Sequence, residues 1–144
     1  MAMRDITNNL HVLQAIAPVA ARTDNTAIVS SIIDVRGYDS LMFAISVGTN
    51  TDANATFTVL VEHDDASNMG TAAAVDDADL NGTEALASYQ YDDDTETRKI
   101  GYRGNKRYVR LTITPAGNDS GNIFVAAVAI LGGAHIAPTA NPPV

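Results

Sequence analysis

Short runs in which apolar and polar residues alternate recur along most of this sequence, and they restrict the fold more than any other feature. The clearest are 40–47, where Leu41, Phe43 and Ile45 share one side, and 55–63. A two-residue period is that of a β-strand with one buried face. Segments rich in Gly, Asn and Asp separate the runs and indicate turns. We therefore predict eight short strands, at 26–35, 40–47, 55–63, 71–75, 84–91, 98–103, 106–114 and 122–131.

This series of strands, without a convincing helix, predicts an all-β fold: an antiparallel β-sandwich of jelly-roll type. We divide the chain into an extended N-terminal arm (1–24), a β-sandwich domain (25–134) and a Pro-rich extended tail (135–144). The apolar positions of the arm follow neither period, so a short strand, a turn or a helix at 10–17 are the alternatives. Three prolines in the last seven residues predict a tail without ladder hydrogen bonds.

Composition excludes several classes of protein. With 144 residues, 46% of them hydrophobic and 18% charged, the chain is long enough and apolar enough for one folded domain. Cysteine is absent, which rules out disulfides and thiolate sites. A net charge of -8 argues against a nucleic-acid partner, because phosphate binding needs a basic surface. The longest apolar run, 123–131, is far short of a membrane span, and no secretory signal is evident, so we expect a soluble, non-secreted protein.

The strongest local signal is Gly104-Asn105, which separates two strand runs and is typical of a two-residue hairpin. That register pairs Ile100 with Val109 on the core side. It also places Tyr108 over Gly101 on the outward side, where the ring would cover a residue without a side chain.

The same register concentrates positive charge on the outward face of the hairpin. Six of the nine cationic residues lie between 98 and 110, with Lys99 directly opposite Arg110. Like charges so close need an anion between them. The acidic run at 92–96 is one candidate, an acidic patch on another protein is a second, and a phosphate or nucleic acid is a third. The residues predicted to dock on an acidic protein surface are Lys99, Arg103, Lys106 and Arg110.

The last strand, 122–131, is apolar on both faces, whereas an antiparallel sheet commonly leaves one face in water. One face fills the core, and the other needs cover from the arm or from a second subunit. Burying three large side chains there would contribute on the order of 5 kcal/mol. We therefore predict a homo-oligomer, a dimer or trimer, with the subunit contact at Phe124, Ala126, Val128 and Ile130.

We find no pattern that supports catalysis. The three histidines are far apart in sequence, and strand alternation points Glu62 and His63 to opposite faces. The candidate metal ligands are Asp77, Asp79 and Asn81, which begin like a calcium loop, but Ser88 stands where a bidentate Glu is needed. A polar turn explains this segment better. We expect no catalytic residues, no metal site and no cofactor.

Three segments, in order, resemble a family of small structural proteins encoded in tailed-phage and prophage head-gene clusters. They are the strand and acidic turn at 59–65, the Gly-Tyr-x-Gly-x-Lys-Arg-Tyr-Val-Arg segment at 101–110, and Leu131-Gly132 followed by the His-x-Ala-Pro motif at 135–138. The resemblance covers about 34–138. The sequence departs from the family at Gly133 and Ala134, where relatives often carry bulkier or basic residues.

The resemblance implies a capsid decoration, or cement, protein: a non-enzymatic β-sandwich that oligomerises on the outside of an assembled head. Its partners would be the major capsid protein and further copies of itself, with no nucleic acid or membrane. It would be made in the host cytoplasm and reside on the capsid surface of the virion. The alternative is a receptor- or glycan-binding module of a head or tail fibre. The absence of tryptophan counts against that alternative, because sugar sites commonly use exposed aromatic platforms.

Overall fold

The computed structural model describes residues 4–144, in which two antiparallel β-sheets pack face to face. No helix in this range is long and apolar enough to cross a membrane. The described elements are β1 (His11–Ile16), β2 (Ile28–Val29), β3 (Ile33–Asp34), β4 (Ser40–Asn50), β5 (Thr56–Asp64), β6 (Ala73–Ala74), β7 (Leu80–Asn81), α1 (Glu84–Ala87), β8 (Tyr89–Gln90), β9 (Thr97–Tyr102), β10 (Tyr108–Ala116) and β11 (Ile123–Gly132), with 3-10 turns at Thr7–Asn9 and Asp77–Asp79.

The order of the strands is that of a jelly roll. The first sheet runs β1-β11-β4-β9-β7, and the second runs β2-β10-β5-β6, with β3 also on β10 and β8 also on β5. We count β2 with β3 as one interrupted strand and β6 with β8 as another, and leave β7 aside. Numbered in this way, the eight strands are β1, β2/β3, β4, β5, β6/β8, β9, β10 and β11. The first sheet then has the order 1-8-3-6 and the second sheet the order 2-7-4-5, which is the strand order of a jelly roll. The predicted β-sandwich is thus confirmed.

The core lies between the sheets and is filled by the inward residues of each alternating strand. The rings of Phe57 and Tyr89 stack within it, with centroids 4.5 Å apart. Ile100 and Val109 are buried, as predicted, although they come from opposite sheets. The largest fully buried side chains are Phe43, Phe57, Ile28, Ile33, Ile45, Ile100, Leu111, Ile113, Ile123 and Leu131.

The hairpin predicted at Gly104-Asn105 is wrong. β9 pairs with β4 and β7, whereas β10 pairs with β5, so residues 103–107 cross from one sheet to the other. A two-residue type I′ hairpin needs positive φ at both loop residues, and neither Gly104 nor Asn105 has it. Gly104 is instead required by Tyr102, whose ring would lie 2.6 Å from an added Cβ. The Tyr102 hydroxyl holds the crossing by accepting the Lys106 N–H at 2.9 Å.

Two predicted strands are irregular in the structure. The run 26–35 is interrupted between β2 and β3, and the run 84–91 begins with the single turn of α1. Thr83 caps this turn, because its hydroxyl accepts the Leu86 N–H at 3.1 Å. The Glu84 carboxylate accepts the Val61 N–H at 2.7 Å, so α1 satisfies part of the edge of β5.

The arm and the tail lie together at one edge of the first sheet. β1 is the edge strand beside β11, so the helix considered at 10–17 does not form, and part of the predicted arm belongs to the sandwich. The first three residues of that arm lie outside the described residues. Thr139 of the tail donates its N–H to the Asn8 carbonyl at 2.9 Å and its hydroxyl to the Leu10 carbonyl at 2.6 Å. The tail is therefore held by its own chain up to this point.

Candidate functional site

The outer face of the first sheet carries the apolar surface that the sequence predicted. Along β11, buried and solvent-facing residues alternate, and Phe124 and Val128 remain 46% and 36% exposed. β1 pairs along the edge of β11 and does not lie over its outer face, so among residues 4–144 the arm leaves this face uncovered. Val12 of β1, 39% exposed, extends the apolar surface. We call this surface the outer patch: Val12, Phe124, Ala126 and Val128.

A groove crosses the same face at right angles to the strands. Its floor is one row of residues in register, in which Ile130 of β11 lies opposite Met42, Met42 opposite Gly101, and Gly101 opposite Asn81 of β7. Leu10 forms one rim and Leu86 of α1 the other. The volume of this transverse groove is about 730 Å³. Ile130, which was predicted in the subunit contact, lines the groove and is only partly exposed.

Gly101 keeps the floor of the groove low. A Cβ built at Gly101 would lie 3.0 Å from the Cβ of Asn81, so a side chain here would require the neighbouring strand β7 to shift by a few tenths of an ångström. The prediction that Tyr108 covers Gly101 is wrong, because Tyr108 lies in the other sheet. Its ring instead lies 4.9 Å below the guanidinium of Arg107.

The four cations predicted to form one docking face are separated by the fold. Lys99 lies on the outer face of the first sheet opposite Ala44, whereas Arg110 lies in the second sheet opposite Glu62. The predicted opposition of Lys99 and Arg110 is therefore wrong, because β9 and β10 belong to different sheets. Arg103 and Lys106 lie in the crossing between them.

Two of these cations already have acidic partners in the same chain. Arg110 donates to Glu62 at 2.8 Å, and this hydrogen bond raises the pKa of the guanidinium. Lys106 pairs with Asp65, which raises the pKa of the ammonium group and lowers that of the carboxyl. Within residues 4–144, Lys99 and Arg103 make no ion pair. Lys99 is thus the cation that the fold leaves open on the outer face of the first sheet.

The remaining cations of this region support the internal alternative in part. Arg98 pairs with Asp93 at 3.2 Å and with Glu96, as the acidic run at 92–96 suggested. Arg107 pairs with Asp34 at 2.7 Å, which lowers the pKa of that carboxyl. Most of the positive charge is therefore used inside the molecule.

The candidate metal ligands do not converge. Asp77 and Asp79 lie in a 3-10 turn, and Asn81 lies in β7 against Gly101. Residues 4–144 hold no group of three or more His, Cys, Asp or Glu placed to bind a metal ion.

Each histidine has its own local partner. His11 stacks on Tyr38 with ring centroids 5.6 Å apart, the Nδ1 of His63 lies 3.0 Å from the Tyr102 hydroxyl, and His135 pairs with Asp39 at 2.7 Å. His11 and His135 contact the adjacent residues Tyr38 and Asp39, whereas His63 lies in β5 and contacts Tyr102 of β9.

Comparison with known proteins gives a relationship at the level of structure. No protein-family model matches the sequence, and no curated protein matches it significantly. The SPBc2 prophage-derived protein YomS superposes with a TM-score of 0.50 at 14% identity, over 85% of this chain and 92% of YomS. The PBSX exported protein XepA superposes with a TM-score of 0.56 at 12% identity, over 94% of this chain and 40% of XepA. The likeness is one of fold.

Sequence reasoning missed the groove, because no local signal marks its rims. Leu10 is followed closely by Val12 and Leu13, Leu86 is flanked by alanines, and single exposed apolar residues are common on protein surfaces. The position of Leu10 and Leu86 at opposite rims of one groove follows from the strand order, which brings β11, β4, β9 and β7 side by side.

Proposed function

We propose that this protein is a structural component of a phage particle that decorates and stabilises the capsid by binding the outer surface of assembled major capsid protein. The observation that carries the proposal is the outer patch, an exposed apolar surface on the sheet that contains β11. In this proposal, the patch contacts a second copy of the chain, and the protein acts as a homo-oligomer without catalysis or cofactor.

The energy available from the outer patch fits a repeated, modest contact. Val12, Phe124 and Val128 are already more than half buried by their neighbours. Covering the rest of these three side chains contributes roughly 2–4 kcal/mol per subunit, since full burial of each is worth about 1.5–3 kcal/mol. A lattice multiplies such contacts, because linked sites bind with an effective concentration that a single site lacks.

The phage setting is supported by two independent likenesses. The sequence resembles head-gene structural proteins along 34–138, and the fold is shared with the prophage-derived protein YomS and with PBSX XepA. The location on the capsid surface and the major capsid protein as partner come from the sequence resemblance.

The alternative, a receptor- or glycan-binding module, would place a sugar in the transverse groove. In the part of the chain that the structure describes, 4–144, no aromatic side chain lines that groove, so a sugar ring would have nothing to stack on. We therefore favour a protein surface as the partner. A glycan array without hits would agree with this choice.

The outer patch is tested with the double variant Phe124→Ser, Val128→Ser. The matched control is Val29→Ser, because Val29 is 52% exposed but lies in β2 of the second sheet. Light scattering gives the mass in solution, and co-sedimentation gives the occupancy on purified heads that lack the protein. We expect the wild type and the control to self-associate and bind, and the double variant to need at least tenfold more protein for both.

Two results would reject the proposal. Wild-type protein that stays monomeric at tens of micromolar and leaves the heads unoccupied would remove both the oligomer and the decoration. A double variant that binds heads like Val29→Ser would remove the outer patch from the contact.

A further inference from the structure

We infer that the transverse groove binds an extended polypeptide segment of a partner protein in which an acidic residue is flanked by apolar residues. This inference rests on the proposed function and specifies the chemistry of the segment that the capsid partner offers. It concerns the groove formed by the β11, β4, β9 and β7 row, which is next to the outer patch and distinct from it.

The dimensions of the groove suit a short stretch of extended chain. Neighbouring strands are about 4.8 Å apart, so the floor from β11 to β7 spans roughly 14 Å. An extended chain advances about 3.3 Å per residue, which gives a segment of about four to five residues. The floor is the face of a sheet, in which Ile130, Met42 and Gly101 are paired with a strand on each side. Recognition therefore depends on side chains and not on strand addition.

The apolar part of the site comes from residues that the fold leaves partly or largely open. Met42 and Ile130 on the floor are half-buried, and Leu86 on the rim is 72% exposed. Gly101 lies beside Met42 in the same row and has no side chain, so these residues leave a depression in which apolar side chains of a bound segment lose contact with water.

The charge of the site comes from Lys99. It lies on β9 two residues before Gly101, on the same outer face and therefore next to the floor row. It is exposed and makes no ion pair within residues 4–144. Its neighbour Arg98 also lines the groove, but Asp93 and Glu96 already neutralise its charge. Among the described residues that line the groove, none is Asp or Glu. A carboxylate is the side chain that this uncompensated cation binds best at close range.

The first experiment selects the preferred ligand without assuming its sequence. A random heptapeptide library is selected in parallel on immobilised full-length wild type, on Lys99→Gln, and on the control Arg36→Gln, which removes an exposed cation outside the groove. We expect wild type and Arg36→Gln to enrich peptides with Asp or Glu between apolar residues. Lys99→Gln should bind these peptides about two- to fivefold more weakly, because it removes the cationic partner of the carboxylate at a solvent-exposed position.

The second measurement locates the bound peptide. With ¹³C-methyl methionine labelling, the Met42 signal reports on the floor of the groove, whereas Met69 is buried elsewhere and serves as the internal reference. We expect an enriched acidic peptide to shift Met42 and leave Met69 in place. The same peptide with Lys replacing the acidic residue should shift Met42 only at a concentration at least tenfold higher.

Several outcomes would overturn the inference. No enrichment, enrichment that is equal on Lys99→Gln, or a Met42 signal that stays in place would each show that the groove is not this site. Self-association that Lys99→Gln abolishes, without peptide enrichment, would assign the groove to a second copy. Heads that bind wild type and Lys99→Glu equally would reject the groove and keep the decoration. If wild type enriches acidic peptides but binds no heads, only the proposed function fails.

Discussion

Replacement of Ser30 by Ala tests whether the Ser30 hydroxyl stabilises the interruption between β2 and β3. The register shifts by one residue here, since Val29 pairs with Thr112 but Ile33 pairs with Val109. The extra residue leaves the N–H of Leu111 without a strand carbonyl, and the Ser30 hydroxyl accepts it at 2.9 Å. The hydroxyl in turn donates to the Ser31 carbonyl at 2.7 Å.

Both Ser30 and Leu111 are buried, with 7% and 0% of their surface exposed, so water does not replace the lost acceptor. An unsatisfied buried donor costs about 1–3 kcal/mol, and we expect Ser30→Ala to lower the free energy of unfolding by about 2 kcal/mol. For a domain of this size the melting temperature falls by roughly 2–4 °C per kcal/mol, which gives about 4–8 °C.

Urea denaturation measures the free energy of unfolding, and hydrogen exchange measures the protection of the Leu111 amide. Ser31→Ala is the matched control, because it makes the same chemical change at the next residue, where only the backbone is hydrogen-bonded. We expect Ser31→Ala to change stability by less than 0.5 kcal/mol, as exposed substitutions usually do. Equal losses in the two variants, or an unchanged exchange rate at Leu111, would refute the reasoning.

Three further predictions concern single side chains. Gly104→Ala places a Cβ 2.6 Å from the Tyr102 ring, so we expect a loss of about 1–3 kcal/mol in urea denaturation. Tyr89→Phe removes a buried hydroxyl that has no hydrogen-bond partner, and we expect stability to stay the same or rise by up to about 1 kcal/mol. Hydrogen bonds, chiefly from the Ala66 N–H, lower the pKa of Asp64 in the folded state. The stabilisation from the ionised carboxylate is therefore present above about pH 4 and is lost as the pH falls through the folded pKa. We expect Asp64→Asn to reduce this acid-induced loss of stability, measured by urea denaturation between pH 2 and 7.

Each of these variants has a control in the chain. Gly70→Ala meets only the flexible side chain of Asn68, at 3.1 Å, and should cost less than Gly104→Ala. Tyr91→Phe changes an exposed ring and should leave stability within about 0.5 kcal/mol. Asp92→Asn makes the same chemical change as Asp64→Asn at an exposed residue. A control that behaves like its test variant would contradict the corresponding prediction.

The candidate site was predictable in part. Residues 123–131 are apolar at the positions facing both sides of the strand, and the structure places Phe124 and Val128 on the outside as expected. The docking face was not predictable, because Lys99 and Arg110 were paired through a hairpin that does not exist. The predicted hairpin also conflicted with the predicted jelly roll. In a jelly roll, consecutive long strands lie in opposite sheets, so a local hairpin between β9 and β10 and a jelly roll exclude one another.

The amino-acid order by itself determined which positions face the core, because a two-residue period needs only neighbours along one strand. In the same way it determined that most of the chain forms strands and that β11 exposes apolar residues on its outer face. Which strands lie side by side was decided by tertiary structure alone. Residues far apart in the chain, such as Ile130, Met42 and Gly101, are brought into one row only by packing the two sheets around a common core. The groove and its open cation therefore exist in the fold and in no single segment of the sequence.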